Sequence, residues 1–349
     1  MRGCFAPWAA LLSTQRGARL APRMAERVAL FTSEVCLRHE PGWMHPERPE
    51  RLGRLLHAMR TSWAAEFSGL LRVHEEETDV TEEQLLRVHT LPHLRRLDAA
   101  FDRAEGFLTP RVSLDADTAV SAGSRAAAVR AAGLVVAAVD LVVQPTAPRR
   151  AFVMVRPPGH HAEPERAMGF CLYNNLLVGV AHAQAVHGVG RVAVLDFDVH
   201  HGNGGAAMCW ADPTRLYASS HQSEIFPCGA SAYSSSKTGR AGLHEQVISS
   251  ALPAGAGSAE FRQAWAEQIL PQVREFQPEA IFLSAGFDAH ADDELASLSL
   301  CDDDYEWITL EIGKLGDGSI PIVSVLEGGY DLDALTRCAR AHLKGLIHS

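Results

Sequence analysis

Short, mostly apolar runs recur along this chain of 349 residues, with longer amphipathic or alanine-rich stretches between them. The runs fall at residues 28–31, 152–155, 191–196, 215–219, 280–283 and 321–326. Runs so short read as strands, and strands without a polar face have to be covered on both sides. The intervening stretches at 51–59, 82–88, 124–139, 174–186 and 259–276 have helical periodicity or an alanine-rich, buried-helix composition. Alternation of such strands and helices predicts an α/β fold, a parallel sheet between two layers of helix. The Pro/Gly clusters at 144–148 and 253–257 are too short to serve as linkers, so a single domain over 25–349 is expected. In open sheets of this kind ligands gather beyond the carboxyl ends of the strands.

Those strand ends carry the chemistry. Asp198 and His200 follow the run Arg191–Leu195 at a spacing of two, which sends both side chains to one side. A carboxylate and an imidazole so placed are half of a divalent-metal site. The histidine pair His160 and His161 ends Arg156-Pro-Pro-Gly-His-His after the run Ala151–Val155, and Asp288 closes Ser284-Ala-Gly-Phe-Asp. Tyr330 stands behind two glycines in Leu326-Glu-Gly-Gly-Tyr. Four strand ends thus hold one set of groups suited to metal-assisted hydrolysis.

Composition narrows the class. Seven scattered cysteines give neither a disulfide framework nor a cysteine zinc site and favour a reducing compartment. No apolar run approaches the ~18 residues of a membrane span. A net charge of -10 argues against nucleic acid as a partner, though not against a cationic substrate. Residues 1–24 contain four arginines and no acid, the first being Glu26. They read either as a transit peptide for a mitochondrion or plastid or as a disordered extension of a cytoplasmic protein.

The motifs His45-Pro-Glu-Arg-Pro49, Arg156–His161, Gly169-Phe-Cys-Leu-Tyr-Asn-Asn175, Asp196–Gly204, Ser284–Asp288 and Glu327–Tyr330 occur in one order over residues 28–346. In them the chain resembles the histone deacetylase superfamily, of the class II and bacterial deacetylase-like type. The resemblance implies the arginase/deacetylase fold, a three-layer domain with about eight mostly parallel strands, and hydrolysis of an acyl amide with zinc. It implies that Asp198, His200 and Asp288 hold the zinc, a ligand set that iron(II) can also fill. His160 and His161 would be the acid–base pair, with Asp196 behind His160 and Asn203 behind His161. A carboxylate partner favours the cation and an amide partner does not, so His161 is expected to be the neutral base and His160 its electrostatic helper. Tyr330 would donate to the developing oxyanion. Gly169, Phe170 and Phe226 would line a narrow channel. A structural potassium would sit against Asp196, Ser219, Ser220 and the carbonyls of Asp198 and His200. Two departures from the family pattern are Gly205, where threonine is common, and Cys228-Gly-Ala230 in place of Gly-Thr-Gly.

The expected substrate is acetyl-lysine in a protein or peptide, because Leu295, seven residues past Asp288, matches acyl-lysine enzymes. The alternative is an acetylated polyamine, because Glu294 beside it could offer a carboxylate to a distant ammonium. A rim residue gripping the substrate backbone is expected within 112–117. An arginase-like reading needs an acid where Gly202 stands, and a non-catalytic acyl-lysine binder would be expected to lack one of the ligands or Tyr330. Oligomeric state is not legible.

Overall fold

The computed structural model of the protein describes residues 26–75, 77–106, 111–210, 212–227 and 246–349. The expectations for residues 1–24 and for the loop 228–230 lie outside them. Ten strands are present among the described residues: β1 (Val28–Thr32), β2 (Leu71–His74), β3 (Arg111–Ser113), β4 (Ala119–Ser121), β5 (Arg150–Met154), β6 (Val192–Asp196), β7 (Arg215–Gln222), β8 (Val247–Leu252), β9 (Ala280–Ala285) and β10 (Ile322–Leu326). Eight make one sheet in the order β2-β1-β5-β10-β9-β6-β7-β8, every pair parallel. The antiparallel hairpin β3–β4 stands apart from it. The parallel sheet and its helical layers are as the sequence predicts. Besides the hairpin, the sequence does not predict β2 and β8, the two edges of the sheet, and both carry exposed positions that break the apolar run.

Alternation along the strands assigns the helices to faces. Phe152 of β5 meets His342 edge to face, with ring centroids 5.0 Å apart, and Ser324 of β10 bonds the same imidazole at 2.8 Å. Helix Leu332–His348 therefore covers that face. Phe282, one position off in register, lies against Gly179, as does Val135, which puts helices Ser124–Val142 and Asn175–His187 on the other. The predicted helix 259–276 is not uniform. It runs as an α-helix Ser258–Gln263, widens to a π-helix over Ala264–Ile269 and resumes at Leu270–Phe276. Pro271 lacks an N–H for the i−4 ladder, and the wider turn before it is a local way to absorb that loss.

The loop before helix Glu50–Arg60 is held by a buried ion cluster. Both Glu47 oxygens accept from Arg156, at 2.8 Å each, and Oε1 also accepts from Arg51 at 3.1 Å. Arg156 spends its remaining donors on the carbonyls of Cys36 and His39, Arg51 on those of Glu327 and Gly329. All three side chains are essentially without solvent contact. Burial opposes the charge on Glu47, but Arg156, His39 and Arg51 outweigh it and bring its carboxyl down to about 2.

A carboxyl held below its unfolded value stabilises the fold fully above the unfolded pKa and loses that contribution as pH falls through the folded one. Here the window runs from about 4.5 down to about 2. Glu47→Gln leaves two buried guanidinium groups underpaired and should cost about 3–5 kcal/mol at neutral pH. Denaturation of both proteins across pH 2–7 checks this, the gap between them narrowing below about 4.5.

Candidate active site

Four neighbouring strands at the centre of the sheet, β5, β10, β9 and β6, deliver the motif residues to one crevice. Beyond β6 and β9, the ligating atoms of Asp198, His200 and Asp288 all lie within 4.8 Å of one another. His200 Nδ1 faces Asp198 Oδ1 at 3.1 Å and Asp288 Oδ2 at 3.2 Å. The second oxygens are tied to backbone: Asp198 Oδ2 accepts from Gly328 N and Asp288 Oδ1 from Val199 N. Gly328 can approach only because it has no side chain, since a Cβ there would fall 2.1 Å from Asp288 Oδ2. Two buried carboxylates so close call for a positive charge. Although burial opposes it, they raise His200 to about 10. That cation-seeking set of two carboxylates and one imidazole fits a divalent metal ion.

The histidine pair lies beside this set. The two rings are 3.9 Å apart, and His160 Nε2 is 3.8 Å from Asp198 Oδ1. His160 Nδ1 bonds Asp196 Oδ2 at 3.1 Å, while His161 Nδ1 bonds Asn203 Oδ1 at 2.8 Å. Electrostatics separate the two. Burial disfavours charge on both, but Asp198 and Asp196 overcome it at His160 and push it up to about 10. At His161 burial is joined by the neighbouring His160 and His200, and the imidazole is held well below its ordinary value. Since an amide oxygen only accepts, His161 carries its proton on Nδ1 and presents a bare Nε2.

Tyr330 is fixed from below. Its backbone N donates to Asp293 Oδ2 at 2.6 Å, and the Arg51 guanidinium lies 4.9 Å from its ring centroid. Burial keeps its phenol protonated well above the usual range, against the pull of Arg51. The ring meets Phe170 edge to face at 5.9 Å. Phe226 meets His161 in the same way at 4.9 Å. Between them sits Gly169 at φ 56°, where a Cβ would come 2.5 Å from His161 Cδ2 and 2.8 Å from Phe226 Cε1. Further out, Tyr330, His45, Glu294 and Leu295 line a cavity of about 310 Å³, and Glu294 and Leu295 are both exposed.

Ser219 and Ser220 are buried behind β6, the first bonding His221 Nδ1 and the second accepting from Trp265 Nε1. Asp196 also accepts from Tyr217, whose ring fills the space a side chain at 205 would need. Within 112–117, Asp115 accepts from the backbone N of Asp117 and Thr118. Sequence reasoning missed Glu47, Arg51, Tyr217, Asp293 and Glu327. Glu327 accepts from Gly159 N and His160 N through Oε2, whereas its buried Oε1 has no hydrogen-bond partner among the described residues. Burial above all, with the Asp196 charge, raises it to about 7. The signal for it was present in Leu326-Glu-Gly-Gly-Tyr330. Two other metal-competent groups, Asp140/His182/His187 and His290/Asp302/Cys338, are not among the predicted site residues.

The Histone deacetylase domain family matches residues 45–346. An uncharacterized protein of Synechocystis, slr0245, is 36% identical over 324 residues, covering 92% of this chain and 99% of that one. The Histone deacetylase-like amidohydrolase of Pseudomonas aeruginosa is 34% identical over 342 residues, covering 93% and 87%. Against a longer eukaryotic relative the chain spans as little as 20% of the length. Among solved structures, the crystal structure of the HDA15 HD domain superposes with a TM-score of 0.83 at 30% identity, over 93% of this chain and 90% of that one. No helix among the described residues is long and apolar enough to cross a membrane.

Removing one carboxylate from the three-ligand set should empty it. Asp288→Asn is expected to retain less than about a tenth of the tightly bound divalent metal that the parent retains on dialysis, measured by elemental analysis. Gly169→Ala, strained in both φ and space, should lower turnover while metal content stays level.

Proposed function

The chain belongs to the histone deacetylase family, and on that premise we propose that it is a zinc-dependent deacetylase of N6-acetyl-lysine in proteins or peptides. The observation that carries this reading is the unlike pairing of the two histidines beside the carboxylate–imidazole set, His160 against the Asp196 carboxylate and His161 against the Asn203 amide oxygen. Asp198, His200 and Asp288 would hold the ion. When bound there, zinc supplies a Lewis acid that lowers the pKa of water and polarises the amide carbonyl.

The chain's own groups do the rest. His161 Nε2 takes a proton from the attacking water as its oxygen bonds to the carbonyl carbon, then returns it to the amine nitrogen as the C–N bond breaks. His160, held as a cation by Asp196, offsets the negative charge that develops on the carbonyl oxygen. The protonated Tyr330 phenol donates to that oxygen, a contribution of about 3–4 kcal/mol in comparable sites. Gly169, Phe170 and Phe226 form the channel for a slender aliphatic stem. The buried oxygens of Asp196, Ser219 and Ser220 are assigned to a potassium ion, a hard cation suited to an oxygen-only cage.

A second substrate reading has its own observation. Glu294 lines the same outer cavity as Tyr330 and Leu295, so a carboxylate is available to an acetylated polyamine. Steady-state hydrolysis of an acetyl-lysine peptide and N8-acetylspermidine side by side separates the two. A peptide preference in kcat/KM of about a hundredfold, roughly 2.7 kcal/mol, is expected. The reverse preference would transfer the enzyme to small acetamides. His161→Ala should cut kcat more than about tenfold with metal content unchanged, and a smaller loss would remove His161 as the base.

A further inference from the structure

Asn203 can present either its oxygen or its amide nitrogen to His161, and the two choices have opposite consequences. With the oxygen inward, His161 holds its proton on Nδ1 and keeps Nε2 free. With the nitrogen inward, Nδ1 must accept, the proton moves to Nε2, and the ring has no basic atom facing the site. Something has to decide the orientation of that amide. Its Nδ2 has three acceptors: Glu163 Oε1 at 2.8 Å, the His161 carbonyl at 3.2 Å and Met168 Sδ at 3.4 Å. Glu163 is the closest and the only charged one, and an ionised carboxylate can only accept.

Glu163 is itself held in place. Its backbone forms an isolated bridge with Arg166, and its carbonyl takes a hydrogen bond from His89 Nδ1 at 3.1 Å. The direction of that bond follows from His89 Nε2, which accepts from Asn174 N at 2.9 Å. On its outer side Glu163 lines a cavity of about 510 Å³ together with His93, Arg96, Asp115 and Arg166. A chain of contacts therefore runs from an open cavity through Glu163 and Asn203 to His161.

We propose that Glu163 is a positioning residue that sets the tautomer of His161 by fixing the orientation of the Asn203 amide. The proposal rests on the reading of His161 as the base. Glu163 touches no reacting atom; it acts through Asn203, so its loss should appear in kcat rather than KM.

The test uses the full chain with four variants. Glu163→Gln keeps an acceptor oxygen and should stay within about threefold of the parent in kcat. Glu163→Met removes the acceptor and should lower kcat several-fold, with a mixed tautomer. Glu163→Lys puts a donor where the acceptor stood, which draws the Asn203 oxygen outward, and should lower kcat by at least about thirtyfold with KM within about threefold. The double variant Glu163→Lys/Asn203→Asp restores an oxygen to both neighbours, since a carboxylate accepts from the ammonium and from His161 Nδ1–H together. It should recover kcat to within about tenfold of the parent.

The readout independent of turnover is the two-bond 15N–1H correlation of the His161 ring, assigned with His161→Ala and recorded on protein without added metal. Protonation at Nδ1 is expected in the parent and at Nε2 in Glu163→Lys. Melting temperatures and bound metal guard against simple misfolding, which the double variant would not reverse. An unchanged His161 tautomer in both Glu163→Lys and Glu163→Met, with kcat within about threefold, overturns the proposal. A reversed tautomer with undiminished turnover upholds the positioning role of Glu163 and removes His161 as the base.

Discussion

The carboxylate of Glu47 joins the loops that follow two paired strands, β5 and β10, beyond the point where the sheet itself holds them. Arg156 opens the segment that carries the histidine pair, and Arg51 grips the carbonyls on either side of Gly328. With one acid shared between two guanidinium groups, the loops after β5 and β10 are fixed relative to each other without a covalent link. Each donor of the cluster is used on a backbone oxygen or on Glu47, which is what makes so much buried charge tolerable. Take away the acid and both arginines lose their reason to be inside. The histidine loop and the tyrosine loop would then depend on Glu327 and Asp198 alone for a fit that matters to fractions of an ångström.

The second organising constraint is a surplus of negative charge. Asp196, Asp198, Asp288 and Glu327 are all buried in the same crevice, and the side chains in ion-pair contact with the three aspartates are imidazoles. A core would not normally accumulate acids in this way. Here each is wired to backbone donors, so that the remaining lone pairs converge on one place. The asymmetry between His160 and His161 follows from the same distribution. One ring lies against carboxylates, which raise its affinity for a second proton. The other lies against an amide and beside two imidazoles, and burial with those neighbours lowers it.

How much of this was readable in the sequence depended on distance along the chain. Asp198 and His200 are two residues apart on a strand end, and the spacing alone brings them together. The same holds for the central strands, whose unbroken apolar runs announce burial on both faces. The edge strands β2 and β8 were invisible because an edge needs only one good face, and Arg72, Ser249 and Ser250 dilute the pattern. Glu47 and Arg156 are 109 positions apart, and Arg51 reaches an oxygen 276 positions away. No local periodicity carries such a pairing. Asn203 could be placed behind His161 only through family likeness, and Glu163 behind Asn203 only once the fold was in hand. Leu295 and Glu294 were legible as alternatives, and the fold puts both on the wall of the outer cavity that Tyr330 also lines.

Asp293 ties two of these regions into one body. One of its oxygens takes the backbone N–H groups of Tyr330 and Asp331, and the other takes that of Leu295. The segment that lines the outer cavity is thus bolted to the segment that carries the phenol. A backbone shift at 294 and 295 would strain the same carboxylate that holds the backbone of Tyr330. A lineage under selection for a new substrate would be expected to change its diet through side-chain swaps at 294 and 295 rather than through insertions. The mouth of this enzyme can be repainted, but not easily rebuilt.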